Sequence, residues 1–114
     1  MDKILEQTLL FDFYGELLTE HQKEIYGQFL QDDFSLSEIA EERGISRQGV
    51  HDLIRRCSRT LTEYEAKLHL VEKFISIREK VHRIDSLLED CGEDNTKEVL
   101  GEIRNISAEI IEEL

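Results

Sequence analysis

The segment from Leu36 to Arg56 constrains the fold more than any other, because its small and apolar residues recur where two crossed helices must pack. Ala40 is small enough for a second helix to approach closely, and Gly44 can adopt the positive φ of a tight turn. We expect Ile45 to fill the corner and Ser46 to cap the second helix. The spacing therefore predicts a helix-turn-helix. The residues expected to hold it together are Ile39, Ala40, Gly44, Ile45, Val50 and Leu53.

Composition indicates an all-α protein with a modest core. The chain has 114 residues, of which 39% are hydrophobic, with six glycines and no proline. That length suits one domain better than two large ones. No apolar run approaches the roughly 20 residues that span a bilayer, and no signal peptide is visible. Two cysteines are too few for a disulfide framework, so we expect a cytoplasmic protein that is not bound to a membrane.

Local signals place two further helices before the motif. Apolar residues at three- and four-residue spacing predict an amphipathic helix over residues 3–18, with Phe13 on its apolar stripe. Thr19 followed by Gln22 has the pattern of a capping box and opens a second helix. A second capping box, at Ser35, opens the first helix of the motif.

Beyond the motif the pattern stays helical. The second motif helix continues past Thr60 without a breaker, and a kink is expected near Leu70. The segment 91–95 interrupts the helix, and Asn95 with Glu98 is expected to cap a last helix whose apolar spacing is close to a heptad.

This pattern predicts a helix-turn-helix domain over residues 1–62 and a helical extension over residues 63–114. The extension is either a helical hairpin or an arm followed by a helix. Two helices of this length cannot bury their whole apolar stripe alone. We therefore expect the extension to form a homodimer or to fold back and complete a monomeric bundle, and the sequence leaves both open.

The charge distribution singles out the second motif helix. The net charge of −12 argues against an ordinary nucleic-acid binder, which must neutralise phosphates. Residues 1–34 carry two basic and eight acidic side chains. Residues 61–114 carry seven basic and fourteen acidic side chains. Residues 46–60, in contrast, hold four arginines and only one acid, Asp52. This helix is the one locally positive element of an acidic chain.

The order of helices resembles region four of bacterial sigma factors, through the runs 18–26 and 34–50. A narrower resemblance, to the YlxM family, is carried by the runs 13–22, 32–40, 45–52 and 64–69. It covers residues 1 to about 75, and beyond about 80 only length and helicity agree. The resemblance implies an all-α, sigma-region-four-like bundle and a small DNA-binding regulatory protein linked to the signal recognition particle pathway.

If DNA is the partner, the first turns of the second motif helix meet base edges. Arg47 could reach guanine N7 and O6, and Gln48 could pair with adenine. Arginines further along would contact phosphate, while Ser46 leaves backbone amides near one. The alternative is a solvated face with surface ion pairs worth about 0–1 kcal/mol each. The candidate residues are Ser46, Arg47, Gln48, His51, Asp52, Arg55, Arg56 and Arg59.

A protein-docking role is the second hypothesis, because fold does not fix function. By the resemblance, the partner would be the GTPase subunit of the signal recognition particle or its RNA. A purely architectural motif is the third. No enzyme, cofactor or metal site is expected, since the histidines and cysteines lack ligand spacing and no glycine-rich phosphate loop is present. We expect Cys57 to pack as a small apolar residue.

Overall fold

The structure, a computed structural model, describes residues 2–114. No strand occurs in this part of the chain, and the all-α prediction is confirmed. The helices are α1 (Lys3–Tyr14), α2 (Glu20–Leu30), α3 (Leu36–Arg43), α4 (Arg47–Leu68), α5 (Leu70–Glu89) and α6 (Thr96–Glu113).

Both predicted capping boxes are present. The Thr19 hydroxyl accepts from the Gln22 amide at 3.2 Å, and the Gln22 side chain accepts from the Thr19 amide at 3.1 Å. Ser35 and Glu38 make the same reciprocal pair at 3.1 and 3.2 Å. Each cap satisfies amides that a helix start leaves without partners, which typically stabilises a helix by about 1 kcal/mol. Local sequence therefore sets where α2 and α3 begin.

The first helix is shorter than predicted and buries a different aromatic side chain. α1 ends at Tyr14, and a 3-10 turn over Gly15–Leu17 follows. Phe11 is 8% exposed, whereas Phe13 is 37% exposed, so placing Phe13 in the buried stripe was wrong. The reason is tertiary: α2 lies on the Phe11 side, and the ring centroids of Phe11 and Tyr26 are 5.5 Å apart.

The helix-turn-helix corner forms as predicted, with one exception. Gly44 has φ +69°, and its amide donates to the Ala40 carbonyl at 3.0 Å. The Ile45 amide donates to the same carbonyl at 3.1 Å. Ile39 and Val50 are fully buried between the helices, but Ile45 is 38% exposed and does not fill the corner. Backbone hydrogen bonds close the turn, and the two buried side chains already occupy the space inside it.

Helix α4 is the centre of the first part of the fold. Helices α1, α2 and α3 all contact it. One face of α4 is buried beneath them, through Val50, Leu53, Cys57 and Leu61. Burying such apolar side chains contributes about 1.5–3 kcal/mol for each large one. The opposite face of α4 is therefore exposed to solvent.

The predicted kink near Leu70 is confirmed. His69 has φ +56° and separates α4 from α5. The buried Tyr14 hydroxyl donates to the Glu65 carboxylate at 2.6 Å and accepts from the Leu70 amide at 3.1 Å. The Val71 amide donates to the same Glu65 oxygen at 3.0 Å. This network satisfies amides at the start of α5 and fixes the backbone as far as residue 71. Burial, and then the hydrogen bond to Glu65, raise the pKa of Tyr14.

The chain divides into two compact units, residues 2–71 and residues 72–114. Helix α4 passes position 62 without interruption, so the first unit continues beyond the boundary placed there from the sequence.

The second unit is a helical hairpin. Near the end of α6, Glu113 accepts hydrogen bonds from the Ser76 hydroxyl at 2.7 Å and from the Lys80 ammonium. Both partners lie on α5, so the two helices run antiparallel. The hydrogen bonds from Lys80 and then Ser76 lower the pKa of Glu113. Val99 and Ile106 are buried on α6.

The cap predicted for α6 is wrong. The Asn95 side chain makes no capping hydrogen bond to α6. Its Oδ1 accepts from the Gly92 amide at 2.6 Å, and its Nδ2 donates to the Asp90 carbonyl at 3.1 Å. The Thr96 hydroxyl donates to the Gly92 carbonyl at 2.6 Å. Asn95 is thus used to close the turn before the helix, where Asn commonly bonds neighbouring backbone.

Gly44→Ala is expected to destabilise the protein by about 1–2 kcal/mol, because L-residues are strained in the left-handed region. A Cβ at Gly44 would meet nothing within 4 Å, so the cost is conformational and not steric. Gly101→Ala, at an equally open position inside α6, is the matched control and should stabilise by about 0.5–1 kcal/mol. Urea unfolding followed by circular dichroism measures both. Equal effects of the two substitutions would contradict the role given to Gly44.

Tyr14→Phe is expected to cost about 1–3 kcal/mol at neutral pH, because it leaves a half-buried carboxylate oxygen and the Leu70 amide short of a partner. The pKa of Tyr14 is raised above 10.0, so the hydroxyl's contribution is complete below pH 10.0 and is lost as pH rises through the folded-state value. The difference in unfolding free energy between wild type and Tyr14→Phe should therefore shrink above that pH. Tyr64→Phe, on a neighbouring half-buried ring, is the control. A difference that stays constant with pH would contradict the network.

Candidate nucleic-acid interface

The start of α4 is built by Ser46 and Gly49. The Ser46 hydroxyl accepts from the Gly49 amide at 2.9 Å, as predicted for an N-cap. A Cβ at residue 49 would lie 3.0 Å from the Ser46 oxygen. Glycine therefore gives the capping hydroxyl room to approach, which offsets its poor helix propensity at this position. The other backbone amides of the first turn, which the Ser46 hydroxyl does not satisfy, are directed along the helix axis toward solvent.

The candidate residues lie around the half of α4 that is not buried. With about 100° between successive residues, Gln48, Asp52, Arg55 and Arg59 form a stripe opposite the buried face. All four are exposed. Arg47 and His51 lie on one side of the stripe and Arg56 on the other. The structure thus gathers the predicted residues on a single surface. We call it the α4 face; it comprises Arg47, Gln48, His51, Asp52, Arg55, Arg56 and Arg59.

The arginines of the α4 face are held by no salt bridge among the described residues. The ion pairs in that part of the chain lie elsewhere, apart from one between His51 and Asp52. Arg43 on α3, unlike these arginines, donates hydrogen bonds to Glu24 at 2.9 Å and to Gln28 at 3.3 Å, both on α2. These bonds link α3 to α2. The four arginines of α4 are therefore exposed without the surface ion pairs that were considered from the sequence, and their charges face solvent.

Two polar residues in the middle of the α4 face are already paired. The Gln48 amide nitrogen donates to Asp52 Oδ1 at 3.0 Å, one turn along the helix. His51 Nδ1 lies 3.8 Å from the same oxygen, too far for a hydrogen bond, and this nitrogen is buried without a hydrogen-bond partner. Asp52 therefore orients Gln48, whose carbonyl oxygen remains free to accept. Sequence reasoning named all three residues but did not anticipate this pairing.

A groove beside the α4 face was missed from the sequence. It lies between α1, α2 and α4, and its floor includes Gln7, whose Oε1 accepts from Tyr26 at 2.8 Å and from Ser58 at 2.9 Å. Arg55 and Arg59 line both the groove and the α4 face. No local signal in the sequence could have revealed it, because its lining comes from three helices that are distant in sequence.

The remaining reactive groups do not assemble into a second centre. Cys57 is buried, and burial raises the pKa of its thiol, so it packs as the small apolar residue predicted. Cys91 is exposed at the α5–α6 turn. Within residues 2–114, no three His, Cys, Asp or Glu side chains are grouped to hold a metal ion, and no helix is long and apolar enough to cross a membrane.

Comparison with known proteins agrees with this arrangement. Residues 1–101 match the model of the UPF0122 family, described as "Putative helix-turn-helix protein, YlxM / p13 like". A UPF0122 protein of Clostridium kluyveri is 40% identical over 105 residues, 92% of this chain and 95% of the relative. One of Thermoanaerobacter sp. is 42% identical over 112 residues, 97% and 96% of the two chains. One of Shouchella clausii is 53% identical over 74 residues, 65% and 68% of the two chains.

The matched region contains the whole helix-turn-helix and the α4 face, and the first two relatives span nearly the full length of both chains. The matched model describes a helix-turn-helix protein. The chain belongs to the UPF0122 family of YlxM- and p13-like proteins.

Proposed function

We propose that this chain is a cytoplasmic, duplex-DNA-binding regulatory protein in which the first half of α4 enters the major groove. The observation that carries the proposal is the set of four arginines on the α4 face, none of them in a salt bridge among the described residues. In helix-turn-helix proteins the second helix reads base edges with its N-terminal residues. An α-helix with its side chains is about 10–12 Å in diameter, which fits a major groove about 12 Å wide.

The roles within the α4 face follow from position along the helix. Arg47 and Gln48 stand at its N-terminal turn, nearest the floor of the groove, and can read guanine and the base beside it. Arg55, Arg56 and Arg59 stand two to three turns later and meet phosphates. Asp52 lies between the two groups, and its carboxylate can accept from cytosine N4 or repel a misplaced phosphate.

A second candidate is a protein-binding adapter, favoured by the net charge of −12 and by the carboxylate in the middle of the α4 face. The partner suggested by the YlxM resemblance is the GTPase subunit of the signal recognition particle, or its RNA. In that case the double variant Arg55→Glu/Arg56→Glu should abolish the complex with the purified GTPase subunit, while DNA binding is negligible in the wild type. A complex that survives both charge reversals would remove α4 as the docking surface.

The first test is binding of labelled random-sequence duplex DNA, followed by fluorescence anisotropy at low and near-physiological salt. Non-specific binding by a working DNA reader is expected at about 10⁻⁴–10⁻⁶ M and should weaken steeply as salt increases. The double variant Arg55→Ala/Arg56→Ala should weaken binding to all sequences alike, and each phosphate that is no longer neutralised should reduce the salt slope by about one. Arg78→Ala/Arg83→Ala, which removes the same charge from α5, is the matched control. Absence of binding at low salt would contradict the DNA proposal and favour the adapter.

The second test concerns base reading. Arg47→Ala should flatten the sequence preference selected from a randomised duplex pool, since a good bidentate contact discriminates against the wrong base by about 1–3 kcal/mol. Arg59→Ala, on the phosphate side, should weaken binding but keep the same preferred sequence. If Arg47→Ala retains the wild-type preference, this residue does not read bases.

A further inference from the structure

The groove between α1, α2 and α4 lies entirely within the first unit, because its lining is drawn from residues 3–59. Its volume is about 460 Å³, within the roughly 300–1,000 Å³ of sites that hold small molecules. Ile4 and Phe29 are 69% and 37% exposed, so apolar surface in the groove meets water. An occupant with an apolar body removes that surface from water. The apolar lining is Ile4 from α1, Phe29 and Leu30 from α2, and Ile54 from α4.

The floor of the groove offers hydrogen-bond donors. The Oε1 of Gln7 accepts from the Tyr26 hydroxyl at 2.8 Å and from the Ser58 hydroxyl at 2.9 Å, which uses both of its acceptor positions. Burial raises the pKa of Tyr26, so its phenol stays protonated at neutral pH and keeps this bond. The amide nitrogen of Gln7 carries two N–H donors. Gln7 therefore favours an occupant that accepts hydrogen bonds.

The charged lining of the groove is purely cationic. Among the described residues it comprises Lys3, Arg55 and Arg59, with no carboxylate, in a chain of net charge −12. Arg55 and Arg59 stand four residues apart on α4, so they lie one turn apart on the same side of that helix. Neither arginine forms a salt bridge among the described residues. Lys3 belongs to α1, so two helices can hold one anion between them, and guanidinium groups bind carboxylates and phosphates strongly.

We infer that the groove binds a small amphiphilic anion, free in solution, with an apolar chain or ring and one carboxylate or phosphate. The apolar part packs on the four apolar side chains of the lining, and the three cations hold the head group. Size favours a small molecule over a segment of another protein. Ten residues line the groove, whereas a standard protein–protein interface has about 20–30 residues on each side.

The bound anion also regulates the function proposed above, and this part of the inference rests on that proposal. Arg55 and Arg59 line both the groove and the α4 face. An anion held in the groove neutralises the two arginines that are assigned to DNA phosphates, so the ligand and DNA compete for them. Binding of the ligand therefore releases the protein from DNA.

The site is tested without DNA, by isothermal titration calorimetry of the full chain with sodium decanoate below its micelle-forming concentration. We expect saturable binding to a single site in each chain, at submillimolar concentrations. Octanoate should bind more weakly, by up to about fourfold for each methylene that is lost. Decanol, which lacks the charge, should bind about tenfold more weakly or worse, and decyltrimethylammonium should not bind.

Two variants locate the binding in the groove. Lys3→Glu reverses one charge of the lining and Phe29→Gln removes part of its apolar wall, and each should weaken decanoate binding at least about tenfold. Lys67→Glu and Leu5→Gln, an exposed lysine and an exposed leucine outside the groove, are the matched controls. Their affinity should stay within about twofold of wild type. Circular dichroism checks that every variant is folded.

Three results would overturn the site. The first is no saturable decanoate binding by the wild type, and the second is equal affinity for decanoate and decyltrimethylammonium. The third is equal loss of affinity in the groove variants and their controls. Without decanoate binding, association with phosphatidylglycerol vesicles or with an acidic amphipathic peptide that depends on Lys3 and Phe29 would reassign the groove to a membrane or to a protein.

The regulatory part is tested by repeating the anisotropy titration of random duplex DNA with saturating decanoate. Wild-type affinity at low salt should fall at least about tenfold, and the salt slope should decrease by up to about two. Phe29→Gln keeps every arginine of the α4 face, so it should bind DNA within about twofold of wild type and lose the response to decanoate. DNA affinity that decanoate leaves unchanged would overturn the regulation. A wild type that binds no DNA would overturn the proposed function, while calorimetry still decides whether the site exists.

Discussion

The buried face of α4 is the constraint on which the rest of the molecule depends. Three helices pack against it, and its Val50, Cys57 and Leu61 are fully removed from solvent. Because one face of α4 packs against three helices, α4 cannot rotate about its own axis. A rotation by one residue would expose these apolar side chains and bury charged ones. The arginines opposite are therefore fixed in direction by packing and not by contacts of their own. Side chains placed on such a fixed helix are positioned more precisely than side chains on a loop.

Electrostatics gives the α4 face a selectivity that an evenly basic protein would lack. Acidic side chains outnumber basic ones on both sides of the segment, so a polyanion is repelled from most of the surface. Phosphate affinity then depends on a few arginines, and the non-specific, salt-dependent component of binding stays small. Under the DNA proposal, base contacts must supply a larger share of the binding free energy.

Local signals in the sequence predicted the helix boundaries that depend only on neighbours. The capping residues Thr19 and Ser35, the cap at Ser46 and the positive φ of Gly44 require nothing beyond a few residues of chain. One error was local, because the Asn95 side chain bonds the backbone of Asp90 and Gly92 and does not cap α6. Two other errors arose where an element distant in sequence decides. Phe11 is buried in place of Phe13 because its ring packs against Tyr26 on α2. Ile45 stays partly exposed because Ile39 and Val50 already fill the space between α3 and α4. The exposed direction of the arginines could be predicted from helical spacing, but the groove could not, since three helices distant in sequence form it.

The pairing of Gln48 with Asp52 bears on how such a face could discriminate between bases. A free glutamine amide can rotate and offer its donor, its acceptor or both to a base edge. With one amide proton donated to Asp52 at 3.0 Å, Gln48 keeps its carbonyl oxygen free as an acceptor and one proton free as a donor. A free acceptor next to Arg47 favours a base that donates, such as the exocyclic amine of adenine or cytosine, beside a guanine that accepts. Under the DNA proposal, the carboxylate that opposes phosphate binding also restricts the orientation of Gln48, and both effects would raise specific binding relative to non-specific binding.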